Sequence, residues 1–237
     1  MNHIYIIIPC YNEEGCIKDL LEEIKKASSN SSDTWQSVVV NDCSSDNTSS
    51  EASKISDVII LNHAVNLGVG GAVQTGFIYS SQHKADYVVK IDGDGQHDPS
   101  EIDLLLRPLL EDKADIVIGS RFLDYGAGYK SSFFRRLGIK MLEFVCKILT
   151  GHKISDPTSG YRSYNSKALA FMTENYPSFD YPEPEEVVLA VKNNLRIMEI
   201  PVKMRERKAG KSSISFSGSF YYMVKVILAM FFIKLRK

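Results

Sequence analysis

The chain has 237 residues, a hydrophobic content of 44% and a formal net charge of −1. This length and composition suit one large or two small globular domains with an apolar core, and they exclude a disordered or fibrous chain. The four cysteines form no C-x-x-C pair and no zinc-type cluster, and the N-terminus carries no basic leader, so we expect free thiols in a cytosolic protein.

Apolar, strand-like runs alternate with helix-like segments over roughly the first 120 residues. The predicted strands are residues 4–8, 38–40, 58–61, 88–91 and 116–118. A helix over about residues 13–27, with Asn12 as its cap, follows the first strand, and Asn66 precedes the start of another helix. The alternation predicts an α/β fold with a mainly parallel sheet and helices on both faces.

Polar residues follow successive predicted strands at the point where each strand ends. The fourth strand is followed by Asp92-Gly93-Asp94, with Gln96 just beyond. Carboxyl ends of strands in an open α/β sheet border a ligand crevice. Two neighbouring carboxylates there suit Mg²⁺ or Mn²⁺, which in turn suits a diphosphate. Taken alone, the D-G-D-G run is equally compatible with a polar turn, because aspartate and glycine are common turn residues.

Two common nucleotide-binding motifs are disfavoured. The glycines between residues 68 and 76 do not fit G-x-G-x-x-G, which disfavours a dinucleotide oxidoreductase. Gly210-Lys211-Ser212 resembles the end of a phosphate-binding loop, but Arg205 occupies the position of the first glycine of that motif. A nucleoside triphosphatase is therefore disfavoured as well.

Seven motifs, in chain order over residues 4–213, resemble those of family 2 glycosyltransferases with the GT-A fold, a Rossmann-like arrangement. The likeness is greatest to the branch of dolichol-phosphate mannosyltransferases and of bacterial polyprenyl-phosphate and cell-wall glycosyltransferases. The motifs are I-I-P-C-Y-N-E (7–13), V-V-N-D-C-S-S-D-N-T (39–48), N-L-G-V-G (66–70), D-G-D-G-Q-H (92–97), G-S-R (119–121), D-P-T-S-G-Y-R (156–162) and R-K-A-G-K-S (207–212).

The resemblance implies a UDP- or GDP-sugar donor held by these motifs, with Asp92, Asp94 and the nearby Gln96 around the divalent cation. The implied donor-binding residues are Pro9, Tyr11, Glu13, Asp42, Asn66, Gly68, Gly70, Asp92, Gly93, Asp94, Arg121, Arg207 and Lys211. Many members carry two aspartates and a glycine where this chain has Asn41, Asp42 and Cys43, so the nucleotide base stays open. Helix starts at Glu13 and Gly68 remain the structural alternatives for those two motifs.

The acceptor side offers candidates of two kinds. A hydroxyl acceptor needs a general base, for which Asp156 is the first candidate and Glu183 or Glu185 the second, although these glutamates also suit a solvated loop. A lipid phosphate needs cations instead, since guanidinium groups hold phosphate oxygens in two-pronged contacts. The candidate cations are Arg121, Arg162, Arg207 and Lys211, with surface ion pairs as the alternative.

The C-terminal third contains two predicted helices and most of the positive charge. Residues 133–149 carry an apolar stripe of the kind usual in a core. The last segment, residues 219–237, is mostly apolar, but its longest uncharged run is eight residues, short of the ~20 that span a bilayer. Nine basic residues stand against one glutamate between 201 and 237. This pattern predicts a helix lying on a membrane surface or on a partner, with an ordinary core helix as the alternative.

We therefore expect a nucleotide-sugar-binding half (1–122), an acceptor-side half of the same domain (123–213) and a C-terminal amphipathic helix (214–237). The expected activity is a metal-dependent, inverting transfer of a sugar to a polyprenyl phosphate or to a cell-wall or surface-polysaccharide acceptor. It would occur in the cytoplasm, at the inner membrane face. A sugar-nucleotide nucleotidyltransferase and a non-catalytic sugar-binding module are the alternatives. No nucleic-acid partner is expected, and a homodimer is left open.

Overall fold

The computed structural model describes residues 1–29, 31–123, 133–178, 180–205 and 216–236. The strands are β1 (His3–Cys10), β2 (Thr34–Asn41), β3 (Val58–Asn62), β4 (Tyr87–Lys90), β5 (Ile116–Ser120), β6 (Arg162–Asn165) and β7 (Ile197–Pro201). The helices are α1 (Ile17–Ser28), α2 (Thr48–Ala52), α3 (Gly68–Gln82), α4 (Ile102–Leu110), α5 (Phe133–Thr150), α6 (Ser166–Asn175), α7 (Glu183–Lys192) and α8 (Phe216–Leu235).

All seven strands belong to one sheet, in the order β3-β2-β1-β4-β6-β5-β7. Strand β6 is antiparallel to both of its neighbours, and every other pairing is parallel. The predicted α/β class with a mainly parallel sheet is confirmed, and so are the five predicted strands. The sequence patterns did not identify β7, I-M-E-I-P, or β6, R-S-Y-N, which has no apolar run.

Helices cover both faces of the sheet, as predicted. Helices α1 and α4 pack on one face, where Ile6, Val89 and Val117 are fully buried. Helices α3 and α6 pack on the other face, over Ile7 and Val88. Burial of alternate residues on opposite faces follows from the two-residue period of a strand, and it explains why β1 is apolar at each position from Ile6 to Ile8.

The first helix begins later than predicted. Helix α1 starts at Ile17, four residues after the predicted start, and Asn12 does not cap it. Asn12 lies in the left-handed region with φ 57°, and its side-chain oxygen accepts a hydrogen bond from the backbone N–H of Ser45 at 2.8 Å. Glu14 similarly accepts from the N–H of Asn47 at 3.0 Å. These polar residues therefore join the end of β1 to the loop that follows β2.

Helices α5, α7 and α8 pack against one another beyond β5 and β7. Their common apolar cluster contains Leu142 and Cys146 from α5, Val187 and Val188 from α7, and Met230 from α8. None of the described helices has the length and hydropathy that a membrane crossing requires.

The outward faces of α5 and α8 are apolar. The predicted core position of the α5 stripe is wrong for four of its residues, which are exposed: Leu137, Met141, Phe144 and Ile148. Helix α8 buries Val226 and Met230, and its opposite side exposes five apolar residues: Val224, Leu228, Phe231, Phe232 and Leu235. We call these nine exposed side chains the α5/α8 face.

Candidate active site

The fold brings the polar strand ends to one edge of the sheet. Strands β1, β2, β3, β4 and β5 all end there, because they are mutually parallel or reach the same edge through β6. Since β6 runs the opposite way, its first residue, Arg162, also lies at this edge. The 156–161 loop therefore arrives beside Asp92 and Asp94. This edge is the candidate active site.

Asp92 and Asp94 lie in a tight loop directly after β4. The side chain of Asp92 is 37% exposed, whereas Asp94 is 9% exposed and accepts a hydrogen bond from the N–H of Gln96 at 3.0 Å. Gly93 sits against the end of β1, where a Cβ atom would lie 2.6 Å from the Cys10 sulfur and 3.2 Å from the Pro9 carbonyl oxygen. A glycine at 93 thus allows the loop to pack against β1.

The two carboxylates fit a Mg²⁺ or Mn²⁺ ion that also binds a diphosphate. The Asp92 oxygens accept no hydrogen bond from the described residues, and the nearby His97 Nε2 is 3.7 Å from Oδ2. No group of three metal-binding side chains occurs in the part of the chain that the structure describes. Mg²⁺ commonly takes only one or two protein carboxylates and completes its shell with water and substrate phosphates, so a pair is a chemically adequate site.

His97 is a buried support for this loop. Its Nδ1 accepts the backbone N–H of Asp92 at 3.0 Å, so the ring carries its proton on Nε2 when neutral. Burial lowers the pKa of His97. Its ring stacks on Tyr161 with centroids 4.7 Å apart, and the Tyr161 hydroxyl donates to the Asp98 carbonyl at 2.8 Å. The 156–161 loop is thereby fixed to the Asp92–Asp98 loop.

The end of β1 provides an exposed ring at the same edge. Tyr11 is 52% exposed, and it follows β1, which pairs with β4. Pro9 is buried within β1, and the N–H of Glu13 donates to the Thr48 hydroxyl at 2.8 Å. Tyr11 can therefore offer a stacking surface to a planar ligand, whereas Pro9 and Glu13 are buried.

Asp42, one of the implied donor-binding residues, caps the start of a helix. Its carboxylate accepts the N–H groups of Leu67 and Gly68, each at 2.8 Å, and is 3% exposed. Nδ1 of His63 lies 2.7 Å from the same carboxylate, and Nε2 of His63 lies 2.9 Å from the Thr75 hydroxyl. The Gly68 amide is thus taken up by Asp42 at the start of α3, with Gly70 buried inside the helix.

Asp156 is paired with Arg121 in a buried two-pronged contact. Arg121 Nε and Nη2 each lie 2.6 Å from one oxygen of the fully buried Asp156 carboxylate, and Nη2 also donates to Thr158 at 2.7 Å. Glu199 accepts the backbone N–H of Asp156 at 2.8 Å. A carboxylate held on both oxygens and shielded from solvent is poorly placed to accept a proton from an acceptor, so this geometry disagrees with the prediction of a base.

Arg162 is fully buried, which is at odds with the predicted contact to a lipid phosphate. Its guanidinium donates to the backbone carbonyls of Pro157, Ser159 and Glu183 at 2.8–3.0 Å. Nη1 lies 3.2 Å from the buried carboxylate of Glu186. Arg162 therefore ties the 156–161 loop to the first turn of α7.

Glu183 and Glu185, predicted as second candidates for the base with a solvated loop as the alternative, lie in the first turn of α7 and are buried. Glu183 pairs with the buried Lys90 at 2.5 Å, directly behind the Asp92 loop. Glu185 is 3% exposed, and burial raises its pKa to about 7, with Glu183 adding to the rise and Lys225 opposing it. A carboxylate with a pKa near 7 is suited to accept a proton at neutral pH.

Two predicted cations, Arg207 and Lys211, lie outside the described residues. The described chain before them is anchored at the site, since the N–H of Arg205 donates to the Gln96 carbonyl at 2.8 Å and its guanidinium pairs with Asp98 at 3.0 Å. Asn66 is exposed, and its side chain donates to the Asp42 carbonyl at 3.2 Å.

Several residues of the site were missed by sequence reasoning. They are His63, Lys90, Tyr161, Glu186 and Glu199. Lys90 and His63 stand at or just after strand ends, so their position in the strand pattern was the available signal. Tyr161 stands in the 156–162 motif, which was the available signal for it. Glu186 and Glu199 are brought in by α7 and β7, whose contacts with the site no local pattern indicates.

Comparison with known proteins gave three findings. The sequence model of a family described as Glycosyl transferase family 2 matches residues 5–171. The chain is 32% identical to the UDP-N-acetylglucosamine–dolichyl-phosphate N-acetylglucosaminyltransferase of Methanococcus voltae, covering 84% of each chain. It is 29% identical to the undecaprenyl-phosphate mannosyltransferase of Micrococcus luteus, covering 90% of this chain and 87% of that protein.

Among solved structures, the fold is similar to that of glucosyl-3-phosphoglycerate synthase from Mycobacterium tuberculosis. The TM-score is 0.74 and the sequence identity 17%, with 99% of this chain and 79% of that one covered. That protein was crystallised with Mn²⁺, UDP and phosphoglyceric acid. At this identity the likeness establishes the shared GT-A architecture.

Proposed function

Since this chain belongs to glycosyl transferase family 2 and is a glycosyltransferase, we propose that it transfers a sugar from a nucleotide-sugar donor to a polyprenyl phosphate, with inversion and with a divalent cation. The observation that carries the metal-dependent part is the placement of Asp92 and Asp94 at the carboxyl end of β4, in the middle of the sheet. The names of the two lipid-phosphate relatives support the acceptor class.

The donor's diphosphate is proposed to lie over the Asp92 loop. A bound Mg²⁺ or Mn²⁺ would neutralise charge on the departing nucleoside diphosphate. Asp92 and Asp94 hold that ion, Gly93 keeps the loop close to β1, and the exposed Tyr11 ring stacks on the base. Asp42 acts indirectly in this arrangement, since it fixes the start of α3.

A phosphate acceptor fits the site better than a hydroxyl. Asp156 is engaged by Arg121 on both oxygens, so it is unsuited to remove a proton. A phosphate oxygen is already anionic and attacks without a base. Arg207 and Lys211 remain the proposed phosphate contacts. Arg162 is not proposed for this role, because its guanidinium donates hydrogen bonds to three backbone carbonyls. A hydroxyl acceptor would depend on Glu185 instead.

The α5/α8 face supports action at a membrane surface. These nine apolar side chains are exposed on two helices that pack against each other, which exceeds the isolated exposed apolar residues of an ordinary surface. Arg136, Lys140 and Lys147 are exposed along α5 beside its apolar stripe, which suits an anionic lipid surface. A polyprenyl phosphate resides in such a membrane, so we propose peripheral binding through this face.

The test is sugar transfer in detergent micelles with polyprenyl phosphate, using UDP- and GDP-sugars with Mn²⁺, Mg²⁺ or EDTA. We expect lipid-linked sugar in the presence of the cation and none with EDTA. Release of pyrophosphate from a sugar phosphate and a nucleoside triphosphate would instead support the nucleotidyltransferase alternative. Donor binding without transfer to any lipid phosphate or glycan would support a non-catalytic module.

A further inference from the structure

We infer that Gly160 is a positioning residue for Asp92, and this rests on the proposed role of Asp92 in binding the cation. A Cβ atom at position 160 would lie 2.7 Å from Asp92 Oδ2 and 3.1 Å from Oδ1. Gly160 is not among the glycines with positive φ, so its backbone conformation is open to alanine. The glycine is thus required for the space that it leaves, and that space is filled by the Asp92 carboxylate.

The backbone around Gly160 is held on both sides. The Ser159 hydroxyl donates to the Gly119 carbonyl at 2.6 Å, and the N–H of Gly119 donates to the Tyr161 carbonyl at 2.8 Å. Arg162 Nε donates to the Ser159 carbonyl at 2.8 Å. Withdrawal of this segment from Asp92 would break these contacts at once, so the segment stays in place when a methyl group is added.

The Asp92 side chain is the part that yields. Its carboxylate is the end of a side chain that is 37% exposed, and it accepts no hydrogen bond from the described residues. Rotation about its χ1 angle relieves the overlap at little cost to folding. A methyl group at 160 therefore moves the carboxylate while the fold is kept. A merely structural glycine would show the reverse, a loss of stability with the metal site unchanged.

The test is Gly160→Ala, with Mn²⁺ binding measured by the electron paramagnetic resonance of free Mn²⁺ in the presence of UDP or GDP. We expect the Kd for Mn²⁺ to rise about 10- to 100-fold, as for other residues that orient a metal ligand. The thermal midpoint should stay within about 2 °C of wild type. Gly138→Ala is the matched control, because its Cβ would meet Met223 Sδ at an ordinary 3.6 Å.

A double-mutant cycle with Asp92→Ala identifies the route of the effect. If Gly160→Ala acts through the carboxylate, it has no further effect on the Mn²⁺ affinity of Asp92→Ala. An equal loss in both backgrounds, unchanged affinity in Gly160→Ala, or a fall in its midpoint of more than about 5 °C would each overturn the inference. Wild-type protein that binds no Mn²⁺ with either nucleotide would overturn the metal-dependent function itself, and the inference with it.

Discussion

The proposed donor side and the proposed acceptor side of the molecule differ in the charged side chains that they bury and in the apolar side chains that they expose. Around β1, β2 and β4 the buried residues are mostly aliphatic, such as Ile6 and Val39. Around α7 the first turn buries three glutamates, while α5 and α8 expose Phe144 and Phe232 at 63% and 69%. Burial of charge and exposure of aromatic rings are both costly for a water-soluble fold, and such exceptions concentrate where function imposes them.

The two sides therefore position their functional side chains in different ways. On the donor side, the sheet edge alone places the functional groups, because each follows a strand. On the acceptor side, buried ion pairs additionally fix the 156–161 loop and the first turn of α7. Arg162 shows this, since one guanidinium contacts the 157–159 loop and α7 at the same time.

The largest effect is expected on the donor side, from Asp94→Ala. Loss of one of the two proposed metal ligands removes several kcal/mol of charge stabilisation, so transfer should fall about a hundredfold or more. Stabilisation of the protein by donor and Mn²⁺ in a thermal-shift assay should vanish as well. Asp103→Ala, on the exposed side of α4, is the control. Unchanged metal dependence in Asp94→Ala would remove the basis of the donor site.

On the acceptor side, Arg162→Met should lower the free energy of unfolding by about 3–5 kcal/mol, because it leaves the buried Glu186 carboxylate without its cation. Urea denaturation measures this loss. Arg162→Met with Glu186→Gln should recover part of it, since no buried charge is then left unpaired. Lys18→Met, which breaks the exposed pair with Glu22, should change stability by less than ~1 kcal/mol. An equal loss of unfolding free energy in Arg162→Met and Lys18→Met would contradict this difference between the two sides.

The double substitution of Phe231→Ser with Phe232→Ser tests whether the exposed aromatic residues of α8 bind a membrane surface. Binding to anionic vesicles should weaken about tenfold, because each buried Phe is worth ~1.5–3 kcal/mol and these rings enter the interface only in part. Leu104→Ser with Leu110→Ser, two exposed apolar residues of α4 on the donor side, is the matched control. Vesicle flotation measures both. If the two double variants bind vesicles equally, the α5/α8 face does not bind the membrane. A lower molecular mass of Phe231→Ser with Phe232→Ser than of wild type in light scattering would then identify a second copy of the chain as the partner of this face.

The smallest effect is a pH dependence at Glu185. Its folded pKa, about 7, lies above the unfolded value of 4.5, so the folded state holds the proton more tightly between these two values. Wild-type stability therefore falls as the pH rises through this window, and the cost is complete above about pH 7. Glu185→Gln lacks this cost, so its thermal midpoint relative to wild type should rise from pH 5 to pH 8. A difference that does not vary with pH would place Glu185 in a more polar setting.

Strands with a run of β-branched residues were predictable from the sequence, and the polar strand β6 was not. The five strands that the patterns indicated are all present, because each contains a run of β-branched residues that must be buried. Strand β6 was not predicted from the sequence because its residues 162 and 163, Arg and Ser, are polar although they are fully buried. Its place between β4 and β5 depends on long-range pairing, which has no local signature.

The sequence by itself determined the fold class, the family and the order of the strand-end motifs, since these follow from local periodicity and from residue types at fixed spacing. Only the tertiary structure decided what each polar side chain contacts. It assigned Asp42 to a helix cap, Asp156 to Arg121 and Arg162 to three carbonyls. Hydrogen-bond partners of a buried group come from segments distant in the chain, so they exist only once those segments have packed together.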